Sequence, residues 1–152
     1  MESTDSPTGT YVMLAVDNSP QAEHAFDWYV KFVHRPENKV LVVHVHELHA
    51  PPLPQMAASA DWKKTLEEHE EKVHKLEAKY QEKVDSAGLT AEIKRLKGKP
   101  GEAITHEGSE RKVQMIVMGT RGLGTLRRTI MGSVSSYVVH HAHCPVLVCR
   151  NK

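Results

Sequence analysis

Short apolar runs recur along the chain at regular intervals. Residues 11–16 (YVMLAV), 40–45 (VLVVHV), 115–118 (MIVM) and 145–149 (PVLVC) are almost continuously apolar, the pattern of strands that are buried on both faces. Residues 91–96 (AEIKRL) instead alternate polar and apolar side chains, which is typical of a half-exposed strand at the edge of a sheet. The sequence therefore predicts five β-strands.

Segments with helical periodicity separate these strands. Ser19 is suited to the N-cap of the first helix and Pro20 to its first position, where the missing N–H costs nothing. A long second helix has its natural stop at Gly88. Helices are predicted from Pro20 to just before Pro36, over about residues 61–87, over roughly 100–112 and from Ser133 onward.

The order of these elements predicts the fold class. Strands that alternate with helices form a parallel sheet with helices on both faces, and right-handed crossovers make such a sheet doubly wound. We therefore expect a single α/β domain with an open five-stranded parallel sheet in the strand order 3-2-1-4-5. The polar residues 1–9 are interpreted as a disordered leader and residues 10–152 as the domain.

Length and charge exclude several classes of protein. A chain of 152 residues fits one hydrophobic core. The 20 basic and 19 acidic residues leave a net charge of +1, which argues against general nucleic-acid binding because that needs a basic surplus. The sequence lacks an apolar run of roughly 20 residues, the length that crosses a bilayer. We expect neither nucleic acid nor membrane as a partner.

The cysteines and the first residues predict a cytoplasmic location. The opening MESTDSPTGT is polar and acidic, unlike a secretory signal peptide. Cys144 and Cys149 are separated by most of a predicted strand, too far for an intramolecular disulfide. Free thiols are typical of a reducing compartment.

The predicted topology also places a ligand crevice. In open α/β sheets this crevice lies beyond the carboxyl ends of the strands, where the winding reverses. Here that is between the end of strand 1 at Asp17 and the end of strand 4 at Gly119. Gly119 opens the segment GTRGLGTLRRTIMGSVS, whose glycines allow close approach of a ligand. The helix that begins at Ser133 offers free N–H groups for phosphate.

The spacing Gly119-x2-Gly122-x9-Gly132-Ser133 resembles the G-2x-G-9x-G-[S/T] signature of the ATP-binding universal stress proteins. The resemblance extends from Tyr11 to Arg150. It includes the VDNS turn after strand 1, the KPGEAI segment after strand 3, the IVMGTRG block and the terminal PVLVCR strand.

This resemblance implies a ligand and a set of contacts. The ligand would be ATP, with or without Mg²⁺, and the protein would form a homodimer through its last strand. The implied ATP-binding residues are Ala15, Val16, Asp17, Val45, Met118, Gly119, Arg121, Gly122, Gly132, Ser133, Val134 and Ser135, and the implied dimer interface is Val146, Leu147 and Val148. The signature does not require Arg127 and Arg128, which are candidate phosphate charges because of the positive charge they bring to this segment.

Alternative interpretations exist for several of these features. Asp17 is also suited to capping the following helix, and Arg127 and Arg128 are equally interpretable as solvated surface charges. The charged run at residues 67–83 is predicted to be the exposed face of a helix with i,i+4 ion pairs. The 11 histidines lack the paired spacing of a structural zinc site, so no metal is expected.

The leading functional hypothesis is a dimeric, ATP-binding stress-response or signalling factor that acts on an unknown protein partner. The alternatives are a slow ATPase and a chaperone-like scaffold dimer that does not depend on nucleotide. Neither a G-x-S-x-G nor a G-x-x-x-x-G-K-[ST] motif occurs. The sequence therefore identifies no catalytic residue.

Overall fold

The computed structural model describes residues 9–47, 51–120 and 132–150. All five predicted strands and all four predicted helices are present, with an additional short 3₁₀ helix at Pro54–Ala58. The strands are β1 (Tyr11–Ala15), β2 (Lys39–His46), β3 (Thr90–Lys97), β4 (Met115–Gly119) and β5 (Val146–Cys149); the helices are α1 (Pro20–Phe32), α2 (Ala60–Ser86), α3 (Pro100–Glu110) and α4 (Ser133–His141). Residues 1–8 of the predicted leader lie outside the described residues.

The five strands form one parallel sheet in the order β3-β2-β1-β4-β5, which confirms the predicted topology. Leu14 of β1 pairs with Val42 of β2 on one side and with Val117 of β4 on the other. Because β1 has a strand on each side and helices above and below, its side chains are almost wholly apolar. The first strand of the chain is therefore the centre of the sheet.

Side chains alternate between two apolar layers along each strand. Leu14 lies in one buried cluster with residues of α1 and α2, among them Tyr80. Its neighbour Met13 lies in the other cluster with Ile104 of α3 and Val138 of α4. The helices therefore cover both faces of the sheet, as the alternation of strands and helices predicts.

The ends of α1 and α2 follow their local signals. The Ser19 hydroxyl accepts a hydrogen bond from the Ala22 N–H at 3.1 Å, and Pro20 takes the first helical position. Gly88, just after α2, has a φ of 65°, a left-handed conformation that glycine adopts without strain. Both predicted helix boundaries are confirmed.

The long helix α2 has more contacts with its neighbours than the charged run predicts. Lys79 lies 2.6 Å from Glu23 of α1, and Lys83 lies 2.8 Å from Asp27. These ion pairs join α2 to α1, which covers the same face of the sheet. The interpretation of residues 67–83 as a solvated face with internal pairs is therefore wrong in part.

Both cysteines are free thiols, as expected from their separation. Within the described ranges, none of the helices combines the length and apolar character needed to cross a membrane.

Candidate functional site

A cleft lies at the carboxyl ends of β1 and β4. It brings together residues from the ends of three strands and the beginnings of three helices. The residues that line it are Ala15, Val16, Asp17, Ser19, Ala22, Val45, Glu47, Pro100, Ile104, Met118, Gly119, Gly132, Val134 and Ser135. Nine of these were predicted as ligand contacts from the sequence. The described part of the chain therefore has its cleft at the point where the winding of the sheet reverses.

The turn between β1 and α1 forms one wall of the cleft. An Asp17 carboxylate oxygen accepts a hydrogen bond from the Ser19 N–H at 2.8 Å, and the Val16 N–H donates to the Val43 carbonyl at 2.9 Å. Ser19, not Asp17, supplies the side-chain cap of α1. The alternative interpretation of Asp17 as the helix cap is therefore wrong; its carboxylate instead fixes the turn before the helix.

The end of β4 forms the opposite wall and approaches α1 very closely. A Cβ atom placed on Gly119 would overlap the backbone carbonyl group of Gln21 in the first turn of α1. Only glycine allows the strand and the helix to approach this closely. The end of β4 therefore packs against the backbone of α1 at the edge of the cleft.

The beginning of α4 closes the cleft with backbone donors. Gly132 is the N-cap residue, and the first hydrogen bond of the helix runs from the Ser136 N–H to the Gly132 carbonyl at 2.9 Å. The N–H groups of residues 133–135 precede that bond, so the helix itself does not use them. Together with the positive end of the helix dipole they favour an anion.

The two serines that were predicted to bind phosphate differ in their surroundings. Ser135 is 2% exposed, and its hydroxyl donates to the Gly119 carbonyl at 3.0 Å. Ser133 is exposed and does not line the cleft. The Ser135 side chain therefore joins two walls of the cleft, and its backbone N–H is the group that remains available for a ligand.

The third side of the cleft, formed by the end of β2 and the beginning of α3, was predicted only in part. Val45 was predicted, whereas Glu47 beyond β2 and Pro100 and Ile104 of α3 were not. The only signal in the sequence was the position of Pro100 at the start of a helix directly after a strand. Asp17 and Glu47 are the ionisable residues among the described lining residues, and both are acidic.

Several predicted residues cannot be placed relative to this cleft. Arg121, Gly122, Arg127 and Arg128 lie outside the described residues. The predicted interface residues Val146, Leu147 and Val148 do lie on β5, at an edge of the sheet, and each is half-buried. Among the described strands, β5 therefore has a neighbour on one side only.

The histidines of β2 lie away from the cleft. His44 and His46 face α2, where His44 contacts Glu77 and the His46 ring contacts His69. Across residues 9–47, 51–120 and 132–150, no group of three or more His, Cys, Asp or Glu side chains is arranged to hold a metal ion.

Comparison with known proteins identifies the family. The model of the universal stress protein family matches residues 10–150, and the chain belongs to this family. A universal stress protein of Thermus aquaticus, described as lying in the QAH/OAS sulfhydrylase 3′ region, is 34% identical over 140 residues, which cover 91% of this chain and 97% of the relative.

Solved structures agree with this assignment. The universal stress protein UspA from Lactobacillus plantarum superposes with a TM-score of 0.77 at 23% identity, over 93% of this chain and 97% of that one. A universal stress protein family protein from Arabidopsis thaliana with AMP bound has a TM-score of 0.69 at 25% identity, over 94% and 92% of the two chains. The chain therefore has the α/β fold of these proteins.

Proposed function

We propose that this universal stress protein binds an adenine nucleotide, ATP above all, in the cleft between β1 and β4. The observation that carries this proposal is the meeting of the Asp17 turn, the glycine end of β4 and the N-terminus of α4 around one cleft. The Arabidopsis thaliana relative was solved with AMP bound, which supports adenine as the base.

Each wall of the cleft has a part in this proposal. Ala15, Val16, Asp17 and Val45 would hold the adenine and ribose, with Met118 and Gly119 beside the sugar. The N–H groups of residues 133–135, following Gly132, would bind phosphate oxygens because they are the free donors of α4.

The charged side chains among the described lining residues are acidic, so bound phosphates would need positive charge from elsewhere. Asp17 and Glu47, the charged side chains among the described lining residues, would both repel a triphosphate. Arg121, Arg127 and Arg128, in the segment that continues from β4, would supply positive charge, as would a bound Mg²⁺ ion. Gly122 in the same segment would let its backbone approach the phosphates.

We also propose that the protein acts as a homodimer whose surface for an unknown protein partner responds to the nucleotide. The free edge of β5, with Val146, Leu147 and Val148, supports this part of the proposal because an apolar edge strand invites pairing with a second copy. The two free thiols support a cytoplasmic location.

A thermal-shift experiment tests nucleotide binding. ATP at a hundred times its dissociation constant should stabilise the protein by about 2.7 kcal/mol, a rise in Tm of roughly 8 °C for a chain of this size. Gly132→Val should abolish the rise by placing a side chain in the phosphate path. The φ of −62° and ψ of 161° at this position suit valine, so the variant should fold.

The matched control is Val139→Ala on the exposed face of the same helix, which should keep the full shift. Mass spectrometry of nucleotide released from freshly purified protein gives a second readout. A wild-type protein that shows no shift with ATP, ADP or AMP, and that carries no nucleotide, would contradict the proposal and favour the scaffold alternative.

A further inference from the structure

The contact between α2 and the sheet changes from apolar to polar along its length. Near the amino ends of the strands it is apolar, with Leu76, Tyr80 and Val84 of α2 buried in the core. Near the carboxyl ends the sheet instead presents His44 and His46 of β2 together with charged side chains of β3. Histidine is the side chain whose charge changes most readily near neutral pH, so this half of the contact is chemically different.

One part of this polar half is a network of ion pairs. His44 is 4% exposed, and its Nε2 atom lies 3.0 Å from a Glu77 carboxylate oxygen. Arg95 of β3 bridges two turns of α2, at 2.8 Å from Glu77 and 3.0 Å from Glu70. His74 Nε2 lies 3.1 Å from Glu70. His44 and His74 therefore each have a carboxylate partner.

The second part is a pair of imidazoles without such a partner. The rings of His46 and His69 meet edge to face, with centroids 4.5 Å apart and planes inclined by 74°. The Nδ1 atom of His46 and the Nε2 atom of His69 are both buried and have no hydrogen-bond partner. A neutral ring tolerates one unpaired nitrogen, whereas a protonated ring must bury a charged N–H without an acceptor.

We propose that the His46–His69 pair is a pH-responsive contact that holds residues 60–73 of α2 on the sheet near neutral pH and releases them when His46 is protonated. The C-terminal half of α2 stays docked because Leu76, Tyr80 and Val84 are buried in the core and Lys79 and Lys83 pair with α1. This contact lies on the face of the sheet opposite Val45, so it does not depend on the proposed nucleotide site.

The charges around His46 set the direction of the response. On α2 it faces His69 and Glu70; on the strands it faces His44 and Arg95, and Lys97 is its register partner on β3. Burial lowers the pKa of His46 below its ordinary value of 6.5, and His69, Arg95 and His44 lower it further, while Glu70 alone raises it.

The direction in which pH shifts the docking equilibrium of α2 follows from proton binding. A histidine whose pKa is lowered in the docked state binds fewer protons there than in the released state, so the docked state is favoured above pH 6.5 and weakens as the pH falls below it. If the docked ring stays neutral, one such histidine increases the opening equilibrium about tenfold between pH 7.5 and pH 5.5.

Hydrogen exchange of the nucleotide-free full chain, read by mass spectrometry at pH 7.5 and 5.5 and corrected for intrinsic chemical exchange, tests this proposal. We expect opening of residues 60–73 to increase about tenfold at the lower pH, while residues 76–86 and the central strand β1 keep their protection. Equal protection of residues 60–73 at both pH values, or a uniform increase over the whole chain, would overturn the proposal.

A variant assigns the response to the pair. His46→Phe keeps an aromatic ring against His69 and cannot titrate, so opening should become nearly independent of pH, and His46→Leu serves if that variant does not fold. His106→Gln, which replaces an exposed histidine on α3, should respond like the wild type. A full tenfold response in a folded His46→Phe or His46→Leu variant would show that the pair is not the switch.

Discussion

The hydroxyl of Ser135 donates a hydrogen bond to the carbonyl oxygen of Gly119 at 3.0 Å. This bond joins the first turn of α4 to the end of β4, two walls of the proposed nucleotide cleft. Because Ser135 is 2% exposed, water does not readily replace its hydroxyl as the partner of that carbonyl. The bond therefore fixes the position of the backbone donors at the start of α4.

Ser135→Ala should lower the free energy of unfolding by about 1 kcal/mol because it removes the hydrogen bond to the Gly119 carbonyl. Urea unfolding measures the loss. Ser133→Ala, which truncates an exposed side chain in the same turn, should stay within about 0.5 kcal/mol of the wild type. Equal losses in the two variants would mean that the bond to Gly119 does not matter.

Removing the hydroxyl group from each of two buried tyrosines should have different effects on the free energy of unfolding. The Tyr29 hydroxyl lies 2.9 Å from His34 Nδ1 and accepts from Asn38 Nδ2 at 3.1 Å, so Tyr29→Phe should destabilise the protein by about 1–2 kcal/mol. The Tyr80 hydroxyl is buried without a hydrogen-bond partner.

Tyr80→Phe should therefore be neutral or stabilising, by up to about 1 kcal/mol. Burial raises the pKa of both hydroxyls, so neither ionises near neutral pH. The two urea midpoints, compared with the wild type, provide the check. A loss at Tyr80 as large as that at Tyr29 would show that the Tyr80 hydroxyl has a partner in solution.

Glu77 should make stability depend on pH in the acid range. The hydrogen bond from Arg95 holds the pKa of this carboxyl below its ordinary value of 4.5, helped by His44 and opposed by burial. A lowered carboxyl pKa contributes stability that is fully present above pH 4.5 and is lost as the pH falls through the folded-state value.

Glu77→Gln should therefore cost about 2 kcal/mol at pH 7, and its deficit should narrow as the pH is lowered below 4.5. Urea unfolding across this range gives the measurement. Glu71→Gln is the control, because Glu71 is 67% exposed and pairs only with Lys75 of the same helix; it should cost at most about 0.5 kcal/mol. A deficit for Glu77→Gln that does not change with pH would refute the argument.

The proposed dimer can be tested on the backbone of β5. The Ile116 N–H donates to the Pro145 carbonyl at 3.0 Å, and the Thr120 N–H donates to the Cys149 carbonyl at 3.2 Å. Because alternate residues of a parallel strand bond to the same neighbour, the N–H groups of Val146 and Val148 point to the free edge.

Val148→Pro removes one outward N–H without removing a bond to β4, so it should convert a dimer to a monomer in light scattering after gel filtration. Val148→Ala shortens the same side chain and keeps the N–H, so it should remain dimeric. A wild-type monomer at tens of micromolar, or a dimeric Val148→Pro variant, would rule out pairing through β5.

The sequence predicted the strands and their order well because the relevant signals are local. Runs such as residues 11–16 and 115–118 are continuously apolar, and the one alternating run, residues 91–96, became the edge strand β3. The helix ends were equally predictable, since Ser19 acts through its own hydroxyl and Gly88 through its own backbone conformation.

The candidate site was predictable only in part because it depends on contacts between distant segments. The ends of β1 and β4 follow from topology, so Asp17 and Gly119 were found. Glu47 and Ile104 were missed because their positions beside the cleft depend on how β2 and α3 pack against distant segments. The pairing of Glu77 with Arg95 was missed for the same reason, since it joins α2 to β3.

The central position of β1 has a consequence for synthesis of the protein. Met13 of β1 pairs with Leu41 of β2 and with Ile116 of β4. Strand β1 therefore cannot complete its pairing until β4 has been synthesised. A nascent chain that stops before β4 leaves one edge of an apolar strand open, which is the condition for aggregation. Folding on the ribosome should therefore finish late, and chaperones that shield the early strands should raise the yield.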